Sequence, residues 1–112
     1  MKYLIIVALL IFANLSDYYT YSRNLTTEFG FAYDDYGNVI WSKSGDENCI
    51  GISLFDMYIL NGLHFVHNHP NNSSFSGPDL DMAIKCHLKS IEVIRAEGGN
   101  LRVDYFPQKF IV

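Results

Sequence analysis

Between residues 63 and 88 the chain passes from a strand-like run to a helix across one short polar break, and few local arrangements accommodate that passage. Residues 63–69 read as a strand. Residues 70–76 hold Pro, Asn and Ser without any hydrophobic period and form a loop. Ser76-Gly77-Pro78-Asp79 then has the make-up of a helix start. Ser is a favoured N-cap, Pro is tolerated in the first turn, and Asp at the third helical position completes a capping-box-like pair. Leu80, Ala83, Ile84 and Leu88 share one face at helical spacing, which predicts a helix running to about Leu88 and packed on a sheet.

The flanking segments supply that sheet. Residues 26–33 read as a strand, Asp34-Asp35-Tyr36-Gly37-Asn38 as a tight turn, and residues 39–42 as the returning strand of a hairpin. A second turn over residues 44–48 leads into the short apolar segment 49–54, and residues 91–96, 97–100 and 101–106 make a second hairpin. The expected class is α+β, with a mostly antiparallel sheet and one well-signalled helix. A chain of 112 residues has room for one domain, and eight Tyr and eight Phe give it enough apolar surface to offset the entropy of folding. The formal charge of −4, with Lys and Arg scattered, leaves no basic footprint for a nucleic acid. Cys49 and Cys86 are too far apart in sequence to suggest a metal or redox pair and are expected to be ordinary buried thiols.

Residues 1–22 are read as a separate N-terminal segment and residues 23–112 as the domain. Lys2 followed by the apolar run 3–13 has the charged start and length of a secretory signal, whereas a membrane span needs about 20 apolar residues. The segment leans the chain toward an exported or membrane-associated location; otherwise it is cytoplasmic. Asn14-Leu15-Ser16-Asp17 makes a mediocre cleavage site, and a buried helix of the domain would have a similar composition.

The chemistry concentrates at the strand-loop-helix unit. Residues two apart in a strand share a face, so His67 and His69 can turn both imidazoles toward one ion. Asp79, in the first turn of the helix, can bring a carboxylate back to the strand end. Two imidazoles and a carboxylate are a zinc set that leaves the fourth position open, the pattern of a catalytic site. Glu28 is the candidate for handling the proton of the attacking water, because its same-face neighbours Gly30 and Ala32 are too small to fill the space beside it, as an open substrate cleft requires, while Phe29, Phe31 and Tyr33 project to the opposite face and can build core. Each feature alone has a plainer reading. His-x-His is common without a metal, Ser76 and Asp79 cap a helix, and a lone Glu is an ordinary surface charge. His64 faces away from His67, and His87 sits on the helix without a partner motif; both read as structural.

Their joint order is more specific. An upstream Glu on a strand, then His67-Asn68-His69-Pro70 ending a strand, then Ser76-x-x-Asp79 opening a helix, resembles the JAMM motif of the JAB/MPN metallopeptidases. The stretch from His67 to Leu80 is similar to the prokaryotic and phage-associated JAB branch, including RadC-like proteins, and the resemblance extends over residues 27–106. It implies an MPN/JAB-like (cytidine-deaminase-like) fold with a curved sheet flanked by helices. It further implies zinc on His67, His69 and Asp79, water activation by Glu28, and a part for Ser76 in stabilising the tetrahedral intermediate. The expected substrate is then a peptide or isopeptide-linked protein. Five residues separate Pro70 from Ser76, one fewer than in eukaryotic deubiquitinating members, so their substrate class does not carry over. Glu47, in a Gly-Asp-Glu-Asn turn, is the fallback for the proton.

Competing readings fare worse. In ββα-metal nucleases the His, Asn and His are not adjacent, and this chain is acidic. A zinc deaminase would need His-x-Glu and Pro-Cys-x-x-Cys, neither of which is present. The remaining alternative is a non-catalytic zinc-binding MPN-like interaction module, disfavoured because such modules usually lose ligands.

Overall fold

The computed structural model describes residues 14–46 and 50–104. Its elements run α1 (Leu15–Arg23), β1 (Phe29–Tyr33), β2 (Val39–Ser44), α2 (Leu54–Leu60), β3 (His64–His69), α3 (Gly77–Lys85), β4 (Ser90–Arg95) and β5 (Leu101–Asp104). The class is α+β. One mixed five-stranded sheet has the order β2-β1-β3-β4-β5. Both expected hairpins form, β1 with β2 and β4 with β5, and β1 is antiparallel to β3. Among the described residues the single parallel pair is β3 with β4, because α3 carries the chain back across the sheet between them.

Strand alternation divides the core. Phe29, Phe31 and Tyr33 of β1 join Val66 and Ile94 under Tyr18 of α1, on one face of the sheet. Ala32, Trp41, Phe65 and Ile91 join Leu60, Ala83, Cys86 and Leu88 on the other, beneath α2 and α3. The two aromatic sets meet α1 and α2 differently. Tyr18 and Tyr19 pack on Phe31 at ring-centroid distances of 5.4 and 5.2 Å, whereas α2 leaves Leu54, Phe55 and Tyr58 largely exposed.

Several expected boundaries move. Residues 15–22, assigned from sequence to a separable segment, belong to a helix that packs on the sheet, so the folded body begins before residue 23. The apolar run 3–13, Glu47 and Cys49 lie outside the described residues. Cys86 is buried with a free thiol. Among the described residues no helix is long and apolar enough to cross a membrane. The short apolar segment expected over residues 49–54 leads, from residue 50 on, into α2, which is opened by a capping box between Ser53 and Asp56.

Helix α3 stops at Lys85 rather than Leu88. His87 takes a left-handed backbone (φ 52°). Its N–H reaches the Ile84 carbonyl at 3.2 Å, and the Leu88 N–H reaches that of Ala83 at 3.1 Å, which is the bonding of a Schellman stop. His87 is thus a helix terminator, not a helical residue, and the reversal drives Leu88 into the core beside Ala83.

Candidate metal centre

Strand β3 presents its residues alternately to the two faces, so His67 and His69 emerge together on the face beneath α3. Asp79 meets them from the first turn of α3. Its Oδ1 lies 3.1 Å from His67 Nε2, its Oδ2 3.4 Å from His69 Nε2, and the two Nε2 atoms are 2.9 Å apart. All three side chains are largely shielded from water. Burial pushes the Asp79 carboxyl up, but the bonds to His67 and His69 outweigh it and hold the group far below the usual carboxylate range. The same bond raises the His69 imidazole, against the opposing effect of its burial.

The capping box aims that carboxylate. The Ser76 N–H donates to Asp79 Oδ2 at 2.8 Å, and the Asp79 N–H donates to Ser76 Oγ at 3.2 Å. Ser76 therefore caps α3 and lines the pocket at once. A residue not singled out from the sequence, Ser73, orients His69. Its carbonyl lies 3.1 Å and its Oγ 2.9 Å from His69 Nδ1, so both polar groups of Ser73 hold that edge of the ring and leave Nε2 facing His67 and Asp79. His67 Nδ1 is buried without a partner, the single such atom among the described side chains.

Glu28 lies one residue before β1, nearly buried at 9% exposure. One of its oxygens and a nitrogen of each imidazole all lie within 4.8 Å of one another. Burial raises the Glu28 carboxyl; His69 lowers it, and Asp79 and Asp46 raise it further. The space beside Glu28 differs from the sequence expectation. A Cβ on Gly30 would come within 2.9 Å of Ile50, 3.2 Å of Phe65 and 3.3 Å of Trp41, so the small residue admits core side chains instead of leaving an opening. The opening lies in front of the imidazoles. It is a cavity of about 510 Å³ with Glu28, Ser76 and Asp79 at its polar end and Ile50, Ile52, Phe65 and Met82 as apolar wall.

His64 is tied into a separate structural cluster, with Nδ1 2.7 Å from Ser90 Oγ, Nε2 2.8 Å from Asp35 Oδ1, and its ring stacked on Tyr33.

The donor set fits a zinc ion. Zinc bonds of about 2.0–2.2 Å at tetrahedral angles separate neighbouring donors by roughly 3.3–3.5 Å. The two imidazole nitrogens, 2.9 Å apart, would open by about half an ångström to reach that spacing, and each faces one oxygen of the Asp79 carboxylate, at 3.1 Å for His67 and 3.4 Å for His69. No family model, curated protein or solved structure matches the chain.

Proposed function

We propose that this chain is a zinc-dependent metallopeptidase or isopeptidase of the JAMM type, with its sheet and helices of the MPN/JAB kind. The observation that carries the proposal is the convergence of His67, His69 and Asp79 on the wall of a cavity that the nearly buried Glu28 also lines. His67, His69 and Asp79 would hold the ion through Nε2, Nε2 and a carboxylate oxygen. When bound, zinc supplies a Lewis acid that makes water acidic enough to ionise near neutral pH.

The chain's own residues supply the remainder. Glu28 takes the proton of the attacking water and returns it to the leaving amine; its burial raises its basicity for that task. Asp79 is ionised wherever the protein is folded at neutral pH, so the set presents one negative charge to the cation. Ser73 holds the Nδ1 edge of His69 through its carbonyl and hydroxyl, leaving Nε2 for the ion. Ser76 fixes the orientation of Asp79, and its position on the pocket wall allows its hydroxyl to face a polarised carbonyl. Ile50, Ile52 and Met82 line the apolar side, where side chains flanking the scissile amide would pack and exclude water.

The test is turnover of a fluorogenic peptide and isopeptide library, with and without chelator, by the parent and Glu28→Gln. Chelator-sensitive cleavage is expected in the parent. Glu28→Gln should retain zinc while its rate falls by at least about 100-fold, the low end of general acid–base contributions. Zinc-loaded parent that cleaves nothing across the library would assign the centre to a binding module instead.

A further inference from the structure

We propose that Asn68, the residue between the two His ligands, is a positioning residue that sets the place of Glu28; this rests on the proton-transfer role given to Glu28 above. The β1–β3 ladder ends at the pair Gly30 and His67. Glu28 lies past that end. Toward β2 its backbone is held, since its N–H donates to the Asp46 carbonyl and its carbonyl accepts from Gly45, both at 2.8 Å. Toward β3 the Asn68 carboxamide takes over from the missing ladder. Asn68 Oδ1 accepts from the Phe29 N–H at 2.6 Å, and Nδ2 donates to the Thr27 carbonyl at 2.9 Å.

Those two groups belong to the peptide units on either side of the Glu28 Cα. A side-chain amide has the same donor and acceptor as a backbone peptide, so Asn68 pairs with the residues flanking Glu28 as a neighbouring strand would. The second Nδ2 hydrogen goes to the Ser22 carbonyl at 3.1 Å, near the end of α1. The side chain is 2% exposed, so water cannot substitute for any of the three bonds. Alternation then gives the tripeptide His67-Asn68-His69 a double use: its outer residues turn to the pocket, while its centre fastens the backbone of the proton carrier from the opposite face.

Charged, apolar or shorter side chains do not reproduce this. Asp would set a carboxylate against the Thr27 and Ser22 carbonyls, Leu would orphan all three backbone groups, and Ser is too short to reach both sides of Glu28.

The experiment uses the full chain and compares the parent, Asn68→Ser, Glu28→Gln and the double variant, with zinc as the probe. Four quantities are read: zinc content by competition with a chromophoric chelator, amide exchange at Phe29, the zinc-induced shift of the Glu28 carboxyl carbon, and library turnover. Asn68→Ser should keep its zinc, lose protection at Phe29 and lose most of the Glu28 carboxyl response. Its kcat should drop by about 100-fold, the cost of a misplaced catalytic group, with KM little changed. In the Glu28→Gln background the same substitution should cost nothing further, because its effect passes through Glu28. Equal losses in both backgrounds, or an unchanged Glu28 response, would overturn the proposal. If Asn68→Ser does not fold, Asn68→Asp, which keeps an acceptor for Phe29, takes its place; failure of both assigns Asn68 to global stability and overturns it. A parent that cleaves nothing removes the metallopeptidase reading, and the Glu28 response still decides the role of Asn68.

Discussion

Three side chains brought to within 3.4 Å by two elements make a site whose behaviour is set residue by residue. His67 and His69 arrive by strand alternation alone, and Asp79 by its place in a capping box. Purified protein should hold about one zinc per chain, and His69→Ala should lose it, since two protein ligands rarely retain a zinc ion. Free zinc at about 100 times its dissociation constant should add about 2.7 kcal/mol to the parent's stability and nothing to His69→Ala, a difference that thermal melts with and without chelator would read. A parent whose melt ignores both zinc and chelator would remove the site. This part of the centre is legible in the sequence because each component is local: a period of two, a cap, a fixed loop. Asn68 and Ser73 were not. Asn68 bonds residues 39 to 46 positions away, and Ser73, which meets His69 through both its carbonyl and its hydroxyl, sits in a polar loop whose several Asn and Ser residues look alike in sequence. Gly30 was misread for the same reason, as its small size serves Ile50 and Trp41, which come from other parts of the chain.

At the level of elements, all three helices among the described residues open with one device. Asn14 with Asp17, Ser53 with Asp56, and Ser76 with Asp79 each form a reciprocal capping box. Only the last was evident in the sequence, because an apolar face at helical spacing follows it. Asn14 was masked by the apolar run before it, and α2 has few buried side chains to betray its period. Helix α2 is fastened by polar bonds instead, with Asp56 accepting from Trp41 Nε1 at 3.1 Å and Lys43 Nζ at 2.9 Å. Partial burial pushes the Asp56 carboxyl up, but the bonds from Lys43, the Ser53 peptide and Trp41 prevail and hold it well below the usual carboxylate range. A depressed folded-state pKa contributes stability that is present above the unfolded value, near 3.9, and is lost as pH falls through the folded one. Asp56→Asn should therefore cost about 1.5–3 kcal/mol at pH 7, the range for hydrogen bonds to a charged group. That cost should shrink in denaturant melts carried from pH 5 toward pH 2; a constant difference would show that the charge of Asp56 does not anchor α2. At the far end of α3, His87 holds a left-handed conformation that a Cβ disfavours. His87→Gly should stabilise the chain by about 1 kcal/mol in the same melts.

For the whole molecule the decisive element is α1, the one the sequence reading left outside the domain. The aromatic residues of β1 that looked ready to build a core do so only with a partner on their face, and Tyr18 and Tyr19 are that partner. The helix also completes two buried polar groups. The Tyr19 hydroxyl donates to Glu92 Oε1 at 2.6 Å, while Asn100, held by Arg23, donates to Glu92 Oε2 at 2.9 Å. The Ser22 carbonyl takes one hydrogen of the Asn68 amide. Removing the helix would expose Phe29 and Phe31 and leave a carboxylate and an amide in the sheet without part of their partners. Tyr19→Phe isolates one of these losses and should cost about 1.5–3 kcal/mol, because the acceptor is charged and nearly buried. A domain of this size has about 5–15 kcal/mol in hand, and loss of a large aromatic from a core alone costs about 3–5 kcal/mol. A chain beginning at Arg23 forfeits Tyr18, Tyr19 and the Ser22 bond together, so it should show no cooperative thermal transition and poorly dispersed amide resonances. If that shortened chain instead melted within a few degrees of the full one, α1 would be a detachable segment and the domain would begin near residue 23 after all.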